Sequence, residues 1–227
     1  VNIPATENPE DIESARQAMF SVTAGSCWNN TWWTEPVFSG RYPEDGLALF
    51  GSDVPQIDDK DMKTICQPLD FFAVNIYFGQ RTRAGKDGQP ELVPSPVGQA
   101  MTAFNFPVSP EALYWGPRFF WERYRLPIII TENGMSNIDW VSLDGKVHDP
   151  ERESYLRAHL QACARAIAQG VPLKGYFAWS LLDNFEWSYG YSRRFGLVYV
   201  DFETQERIIK DSGEAYARIV RASAVDA

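Results

Sequence analysis

Histidine and cysteine are scarce in this chain of 227 residues, which holds only two histidines and three cysteines. With His148 and His159 alone, neither a histidine-based zinc site nor a serine–histidine triad is expected. Cys27, Cys66 and Cys163 are odd in number, lie far apart and lack the spacing of metal ligands. We therefore predict that they are reduced thiols in the core of a cytoplasmic protein.

Positive charge and long apolar runs are also lacking. The chain has 21 Lys and Arg against 30 Asp and Glu, which gives a formal net charge of -9. Nucleic acids and anionic membranes attract clusters of Lys and Arg, so neither is expected as a partner, and a neutral or cationic one fits better. No apolar run reaches the roughly 18 residues of a membrane helix, and no signal peptide is recognised. The first residue is Val1 rather than Met, which predicts a cut N-terminus.

A short apolar run that ends in a carboxylate is the central feature of what the chain does contain. Residues 127 to 130 carry no polar side chain and three of them are β-branched, which predicts a strand with helices on both faces. Glu132 follows this strand directly, where α/β folds hold catalytic groups, and Asn133-Gly134 is typical of a turn. Glu132 is therefore the first candidate for chemistry, the alternative being a glutamate that ends a strand and faces water.

Helices and strands alternate along the rest of the chain. The expected elements are the end of a strand at 1 to 3, a helix from 8 to 39, short helices within 41 to 67, a strand over 69 to 77, a long polar loop over 78 to 108, a helix over 109 to 125, a loop over 135 to 147, a helix over 149 to 170, a strand over 173 to 180, a hairpin over 196 to 209 and a terminal helix from 212. The first helix is expected to bury Trp28, Trp32, Trp33 and Phe38. Such an alternation predicts a parallel sheet with crossover helices in one α/β domain.

Groups suited to sugar binding follow three of these strands. They are Asn75, Tyr77, Glu132, Trp179, Glu186 and Trp187. Indole faces pack on the C–H faces of a pyranose ring, while amide, phenol and carboxylate groups bind its hydroxyls. A phosphate pocket would instead need Lys, Arg or a glycine-rich loop. The pattern therefore predicts an aromatic-walled sugar cleft, with plain core packing of Trp179 and Trp187 as the alternative.

Two long motifs resemble the glycoside hydrolase family 1 β-glucosidases. They are Ile-Ile-Ile-Thr-Glu-Asn-Gly at 128 to 134 and Trp-Ser-Leu-Leu-Asp-Asn-Phe-Glu-Trp at 179 to 187. The stretches 33 to 44, 75 to 77 and 211 to 212 also resemble the family, in the right order, so the resemblance covers essentially the whole chain. It implies a (β/α)8 TIM barrel, of which residues 1 to 227 form one partial catalytic domain. That domain is the C-terminal half, with the end of strand 5 and strands 6 to 8 with their helices.

The resemblance also implies roles for single residues. Glu132 matches the nucleophile of a retaining β-glucosidase and Tyr77 the tyrosine that orients it. Substrate-binding matches are Asn75, Trp179, Glu186, Trp187 and Phe195. The implied reaction is hydrolysis of terminal non-reducing β-D-glucosyl residues from a β-glucoside or cello-oligosaccharide, without cofactor or metal. Family members that act on 6-phosphorylated sugars carry Ser in place of Glu186, so a non-phosphorylated glycone is implied, either glucose or galactose.

One half of the retaining machinery has no match. The mechanism needs two carboxyl groups about 5 to 5.5 Å apart, and the family's acid/base lies in a Thr-x-Asn-Glu-Pro motif that does not occur in this sequence. Residues 6 to 9 have similar letters in another order and are better explained as a helix start. We therefore expect that the chain does not work alone. It would be completed by a separate N-terminal half or by a second copy, or else be an inactive fragment, and the alternative function is a non-catalytic sugar-binding or assembly module.

Overall fold

The computed structural model describes residues 1–225, which form eight strands and seven α-helices. The strands are Asn2–Pro4 (β1), Phe72–Asn75 (β2), Gln80–Ala84 (β3), Pro90–Leu92 (β4), Ile128–Asn133 (β5), Leu173–Ala178 (β6), Val198–Val200 (β7) and Arg207–Ile209 (β8). The helices are Pro9–Phe20 (α1), Thr31–Ser39 (α2), Glu44–Phe50 (α3), Asp59–Ile65 (α4), Ala112–Tyr124 (α5), Pro150–Ala168 (α6) and Asp211–Ala222 (α7). Among these helices none is both long and apolar enough to cross a bilayer.

A parallel sheet of three strands, in the order β2-β5-β6, lies at the centre of the fold. Val74 lies opposite Ile130, and after an irregularity in the register Asn75 lies opposite Glu132. Since the three strands run in the same direction, their carboxyl ends meet at one edge of the sheet. The predicted parallel sheet is therefore confirmed, and with it the shared edge that the candidate residues need.

Helices α5 and α6 cover one face of this sheet, which we call the outer face. These two helices and the buried side chains beneath them are the outer layer. Buried side chains on this face include Phe72, Ile128 and Ile130. The Phe72 ring stacks on Phe120 of α5 with centroids 4.4 Å apart. On the opposite face, here called the inner face, Ala73, Thr131 and Phe177 are exposed and Ile129 is partly exposed. The prediction that helices cover both faces is therefore wrong for the described residues, because side chains alternate across a strand and only one set has a layer above it.

The predicted helix from 8 to 39 is two helices. Helix α1 ends at Phe20 and α2 begins at Thr31, with an irregular segment between them. The β-branched Val22 and Thr23 and the nearby Gly25 favour a helix poorly, which explains the break. At the start of α2, Asn29 accepts a hydrogen bond from the Trp32 backbone N–H at 2.9 Å.

The four aromatic residues that were expected in the core divide into two pairs. Phe38 stacks on Phe72 and packs against the core, as expected, whereas Trp32 is partly buried and packs on Phe50 outside the core cluster. Trp28 and Trp33 are instead 91% and 59% exposed. Trp28 lies in the irregular segment between the helices, outside the helical face that the prediction assumed.

A hairpin of β3 and β4 occupies part of the region predicted as a loop over 78 to 108. Strand β3 pairs with β1 in parallel and with β4 in antiparallel fashion. Arg83 and Glu91 lie opposite each other and form an ion pair at 2.8 Å, an arrangement that supports a cross-strand pair. The sequence does not predict this hairpin because its strands carry polar side chains on both faces and so lack the apolar alternation that indicates a strand.

The three cysteines are all free thiols, but only one belongs to the core. Cys163 is buried in α6, Cys66 is partly buried and Cys27 is exposed. Burial raises the pKa of the Cys163 thiol to about 12, so this side chain behaves as a small apolar group. The prediction of three core thiols is therefore wrong for Cys27 and holds only in part for Cys66.

Candidate active site

Glu132 and Tyr77 meet at the carboxyl edge of the central sheet. Glu132 is near the end of β5 and Tyr77 lies two residues beyond β2, and the Tyr77 hydroxyl donates a hydrogen bond to Glu132 Oε2 at 2.7 Å. Burial raises the pKa of Tyr77, and so do this hydrogen bond and the negative charges of Glu132 and Glu186. The phenol therefore stays protonated and acts as a fixed donor to the carboxylate.

Glu186 lies in the loop that follows β6, within electrostatic range of Glu132. Burial raises the pKa of the Glu186 carboxyl, a hydrogen bond from the Trp179 side chain lowers it, and the charge of Glu132 raises it again, for a net rise. The Glu186 carboxylate, which stands between Phe185 and Trp187 in the chain, thus has the Trp179 side chain as a hydrogen-bond partner. The ends of all three strands of the sheet therefore contribute side chains to one site.

The remaining predicted site residues differ in exposure. Asn75 is exposed at the end of β2, where its Oδ1 accepts a hydrogen bond from the Thr131 hydroxyl at 2.7 Å. Trp187 is 83% exposed, which rules out plain core packing within the described residues. Phe195 is buried, with its ring edge-on to Tyr77 and 6.3 Å from it. Phe195 therefore borders the site from below the surface, where it supports the Tyr77 ring.

Asn133 and Gly134 do not form the predicted turn. Asn133 is the last residue of β5 and is fully buried. A Cβ atom added to Gly134 would lie 1.9 Å from the Trp179 carbonyl oxygen. The glycine is therefore required by the close approach of the two strand ends, and not by turn geometry.

A buried network of neutral groups surrounds Asn133. Its Nδ2 donates to the Ile76 carbonyl at 2.8 Å and to the Tyr155 hydroxyl at 3.0 Å, and its Oδ1 accepts from the Tyr176 hydroxyl at 2.8 Å. The Tyr155 hydroxyl donates in turn to the Tyr77 carbonyl at 3.1 Å. Nothing in the sequence pattern indicates this network, since Tyr155 resembles one more core residue of a helix.

A second buried cluster, made of charges, holds the loop after β6. Its members are three carboxylates and three cations: Asp139, Asp149, Asp183, Arg152, Arg194 and Lys210. Asp183 accepts hydrogen bonds from Lys210 Nζ at 2.8 Å and from Arg194 Nη1 at 2.6 Å. It also accepts from the backbone N–H of Gly196 at 2.9 Å. Asp183 belongs to the motif at 179 to 187, and its position explains why that motif contains an aspartate.

The stretch that imitates an acid/base motif is the start of a helix. Asn8 caps α1 by accepting a hydrogen bond from the Asp11 backbone N–H at 2.6 Å, and Pro9 is the first residue of the helix. Glu7 pairs with Arg165 of α6 at 2.6 Å on the surface. This segment is therefore structural, as the sequence predicts.

Comparison with known proteins decides the family. The family model for glycosyl hydrolase family 1 matches residues 1–225. The chain belongs to this family. It is 42% identical over 220 residues to a 1,4-beta-D-glucan glucohydrolase of Thermotoga neapolitana, covering 96% of this chain and 48% of that protein. It is also 40% identical over 225 residues to beta-glucosidase A of Thermotoga maritima, covering 98% of this chain and 49% of the relative.

Solved structures of family 1 enzymes confirm the fold. The beta-glucosidase from Thermotoga maritima in complex with glucoimidazole superposes with a TM-score of 0.80 at 41% identity, covering 98% of this chain and 49% of that one. The family 1 b-glucosidase from Thermotoga maritima in complex with isofagomine lactam gives a TM-score of 0.79 at 42% identity, covering 96% of this chain and 48% of that one. This family 1 chain thus spans about half the length of its relatives and forms the C-terminal part of a (β/α)8 barrel.

Proposed function

We propose that this chain contributes the nucleophile side of a retaining β-glucosidase site. In this proposal, a Glu132 oxygen attacks the anomeric carbon of a terminal β-D-glucosyl residue, and the bond to the aglycone oxygen breaks as a glycosyl ester forms. Water then hydrolyses the ester and restores the carboxylate. The hydrogen bond between Tyr77 and Glu132 at the carboxyl edge of the parallel sheet carries the proposal.

The geometry supports a division of labour between the two oxygens of the nucleophile. Tyr77 donates to Oε2, which leaves Oε1 for the attack. Because the Tyr77 phenol keeps its proton, it stays a hydrogen-bond donor that orients the Glu132 carboxylate for the attack. In this proposal Trp179 and Trp187 would pack on the sugar ring, while Asn75 and Glu186 would bind its hydroxyls, and Phe195 would support Tyr77.

We further propose that the N-terminal half of a family 1 barrel supplies the acid/base. The matched relatives are about twice as long as this chain, and the Thr-x-Asn-Glu-Pro motif is absent from its sequence. On the inner face, Phe71 is 48% exposed and Phe177 is 60% exposed. A complementary half-barrel would cover these two apolar side chains. The proposed substrate is a β-glucoside or a cello-oligosaccharide, with a non-phosphorylated glycone because a carboxylate at Glu186 repels a phosphate.

Covalent trapping tests this proposal. The chain is incubated with a 2-deoxy-2-fluoro-β-glucoside that carries an activated leaving group, alone and with an N-terminal half-barrel from a family 1 relative. Because the leaving group needs no protonation, the expected result is one glycosyl adduct on the peptide that contains Glu132, measured by mass spectrometry. The Glu132→Gln variant should remain unlabelled, whereas Glu203→Gln, which alters an exposed glutamate of the β7–β8 turn, should be labelled like the parent chain.

Turnover of a β-glucoside by the completed barrel gives the second measurement. Glu132→Gln should lower it by orders of magnitude with the fold retained, since the variant lacks the nucleophile. Normal turnover by this variant, or an adduct on another residue, would contradict the assignment of Glu132.

A sugar-binding module without catalysis is the second candidate. It is favoured by the absence of the acid/base motif together with the exposure of Trp187 at a strand end. Calorimetric titration with cellobiose separates the two functions. Reversible binding that Trp187→Ala weakens, without any covalent adduct on Glu132 in the completed barrel, would support the module and exclude the enzyme.

A further inference from the structure

The neutral network behind Glu132 links both members of the proposed nucleophile pair. Glu132 bonds to the Tyr77 side chain, while the Tyr77 carbonyl accepts a hydrogen bond from Tyr155. The Tyr155 hydroxyl accepts one from Asn133, which follows Glu132 in the chain. Hydrogen bonds and backbone thus form a closed ring from Glu132 through Tyr77, Tyr155 and Asn133 back to Glu132.

The strand ends at this point are held by a few backbone hydrogen bonds together with side-chain hydrogen bonds. The register between β2 and β5 is irregular between Val74 and Asn75, and that between β5 and β6 is irregular between Ile130 and Asn133. Two backbone hydrogen bonds hold this irregular segment, from the Ile76 N–H to the Glu132 carbonyl at 3.0 Å and from the Trp179 N–H to the Asn133 carbonyl at 2.8 Å. The Asn133 amide adds to them, because it uses both donors and its acceptor on partners from three separate segments.

The network is anchored to the outer layer of the fold. Tyr155 projects from α6 and is buried, with its ring stacked on His159 at 3.7 Å. Burial raises the pKa values of Tyr155 and Tyr176, so both hydroxyls remain neutral. The nucleophile is thereby connected to a long helix by groups that add no full charge beside its carboxylate.

We infer that Tyr155 and Asn133 are positioning residues for the Tyr77–Glu132 pair, acting through the Tyr77 backbone and the end of β5. This inference rests on the proposed function of Glu132. Through these hydrogen bonds helix α6 determines the orientation of Glu132 from the other side of the sheet. Neither Tyr155 nor Asn133 touches the substrate. A displacement of a reacting group by as little as 1 Å can lower a rate by about a hundredfold, so loss of one link should be measurable.

Tyr155→Phe tests the link, because the substitution removes only the hydroxyl. In the completed barrel, the maximal rate of Glu132 labelling by the fluoroglucoside should fall about tenfold, while the concentration giving half the maximal rate changes less than about twofold. Tyr114→Phe is the matched control. Tyr114 is also buried and its hydroxyl also bonds to side chains, namely Gln169 and Arg118, but it lies in α5 away from the strand ends. This control should keep the parent labelling rate.

A second readout does not require activity. In the chain alone, labelled with ¹³C at glutamate carboxyls, the Glu132 resonance is assigned by its loss in Glu132→Gln. Its chemical shift reports the hydrogen bond from Tyr77, so Tyr155→Phe should change this shift and Tyr114→Phe should not. Tyr176→Phe, which removes the donor to Asn133 Oδ1, provides a second variant if Tyr155→Phe does not fold.

The outcomes separate this inference from the proposed function. Unchanged labelling and an unchanged Glu132 carboxyl resonance in Tyr155→Phe and Tyr176→Phe would overturn the positioning role and leave the proposed function standing. An unlabelled parent barrel, together with a Glu132 resonance that still responds to Tyr155→Phe, would uphold the positioning geometry and reject the enzyme. A loss in Tyr114→Phe equal to that in Tyr155→Phe would also overturn the inference, since the effect would then reflect general stability.

Discussion

The outer and inner faces of the central sheet carry similar residues in opposite environments. Phe72 and Ile130 are buried under α5 and α6, whereas Phe71 and Phe177 are largely exposed on the inner face. Apolar side chains on both faces are typical of a strand that is covered twice. The comparison shows that the described residues bury the apolar side chains of the outer face and leave those of the inner face exposed. Changes on the outer face should therefore affect the stability of the chain more than changes on the inner face.

Removal of a large outer-face side chain should have the largest effect. Phe120→Ala deletes a buried ring that stacks on Phe72, and should lower the free energy of unfolding by about 3 to 5 kcal/mol. Urea unfolding followed by circular dichroism measures this loss. The same change at exposed Phe177 should cost less than about 1 kcal/mol, and equal losses at the two positions would contradict the distinction between the faces.

Acid should weaken the outer layer through His159. Burial lowers the pKa of this imidazole to about 4, against about 6.5 in the unfolded chain. The folded state thus binds fewer protons between these values, so its stability should fall as pH decreases from about 6.5 to about 4. Urea unfolding at several pH values measures the slope, which His159→Phe should remove while keeping a ring stacked on Tyr155. An unchanged slope in that variant would assign the acid sensitivity to other groups.

Dye binding to the inner face should fall when a charge is introduced there, but not when one apolar side chain is replaced by a smaller one. Phe177→Asp should reduce the binding of an apolar dye such as anilinonaphthalene sulfonate, measured by fluorescence, because it breaks the exposed apolar surface. Its effect on the free energy of unfolding should stay within about 0.5 kcal/mol. Phe177→Leu is the control and should keep the dye binding. Unchanged binding in the aspartate variant would show that the dye reports another surface.

The sequence predicts those parts of the fold that rest on local chemistry. The β-branched run before Glu132 forms a buried strand because few other structures accommodate it, and the glutamate lies at the end of that strand as expected. Such patterns do not reveal the partners of a residue. Trp28 was expected in the core because it is large and apolar, but its exposure depends on what lies above it, which local sequence does not encode.

The candidate site shows the same limit on a finer scale. Glu132 and Tyr77 could be predicted because a motif carries them, and the structure brings them into contact. Asn133 resembled a turn residue because Asn-Gly is common in turns, yet tertiary hydrogen bonds make it a buried strand residue. Tyr155 is 22 positions away from Asn133 in the chain, and only the packing of α6 on the sheet brings the two together.

The smallest effect is expected at the edge of the outer layer, where His148 links a loop to α7. His148 Nδ1 lies 2.6 Å from Asp211 and Nε2 lies 3.1 Å from Asp144. These two hydrogen bonds raise the pKa of His148 above its usual 6.5, although the site is open to solvent. The protonated imidazole therefore stabilises the folded state fully below the unfolded pKa, and this contribution is lost as pH rises through the folded value.

The pH dependence of His148 should thus have the opposite sign to that of His159. Hydrogen exchange of the first turn of α7, measured by mass spectrometry and corrected for the intrinsic effect of pH, should show weaker protection above the pKa of His148 than below it. His148→Gln should abolish this difference and leave the acid slope caused by His159 intact. Loss of both effects in His148→Gln would show that the two histidines report one global transition, and that the edge of the outer layer does not open separately from its core.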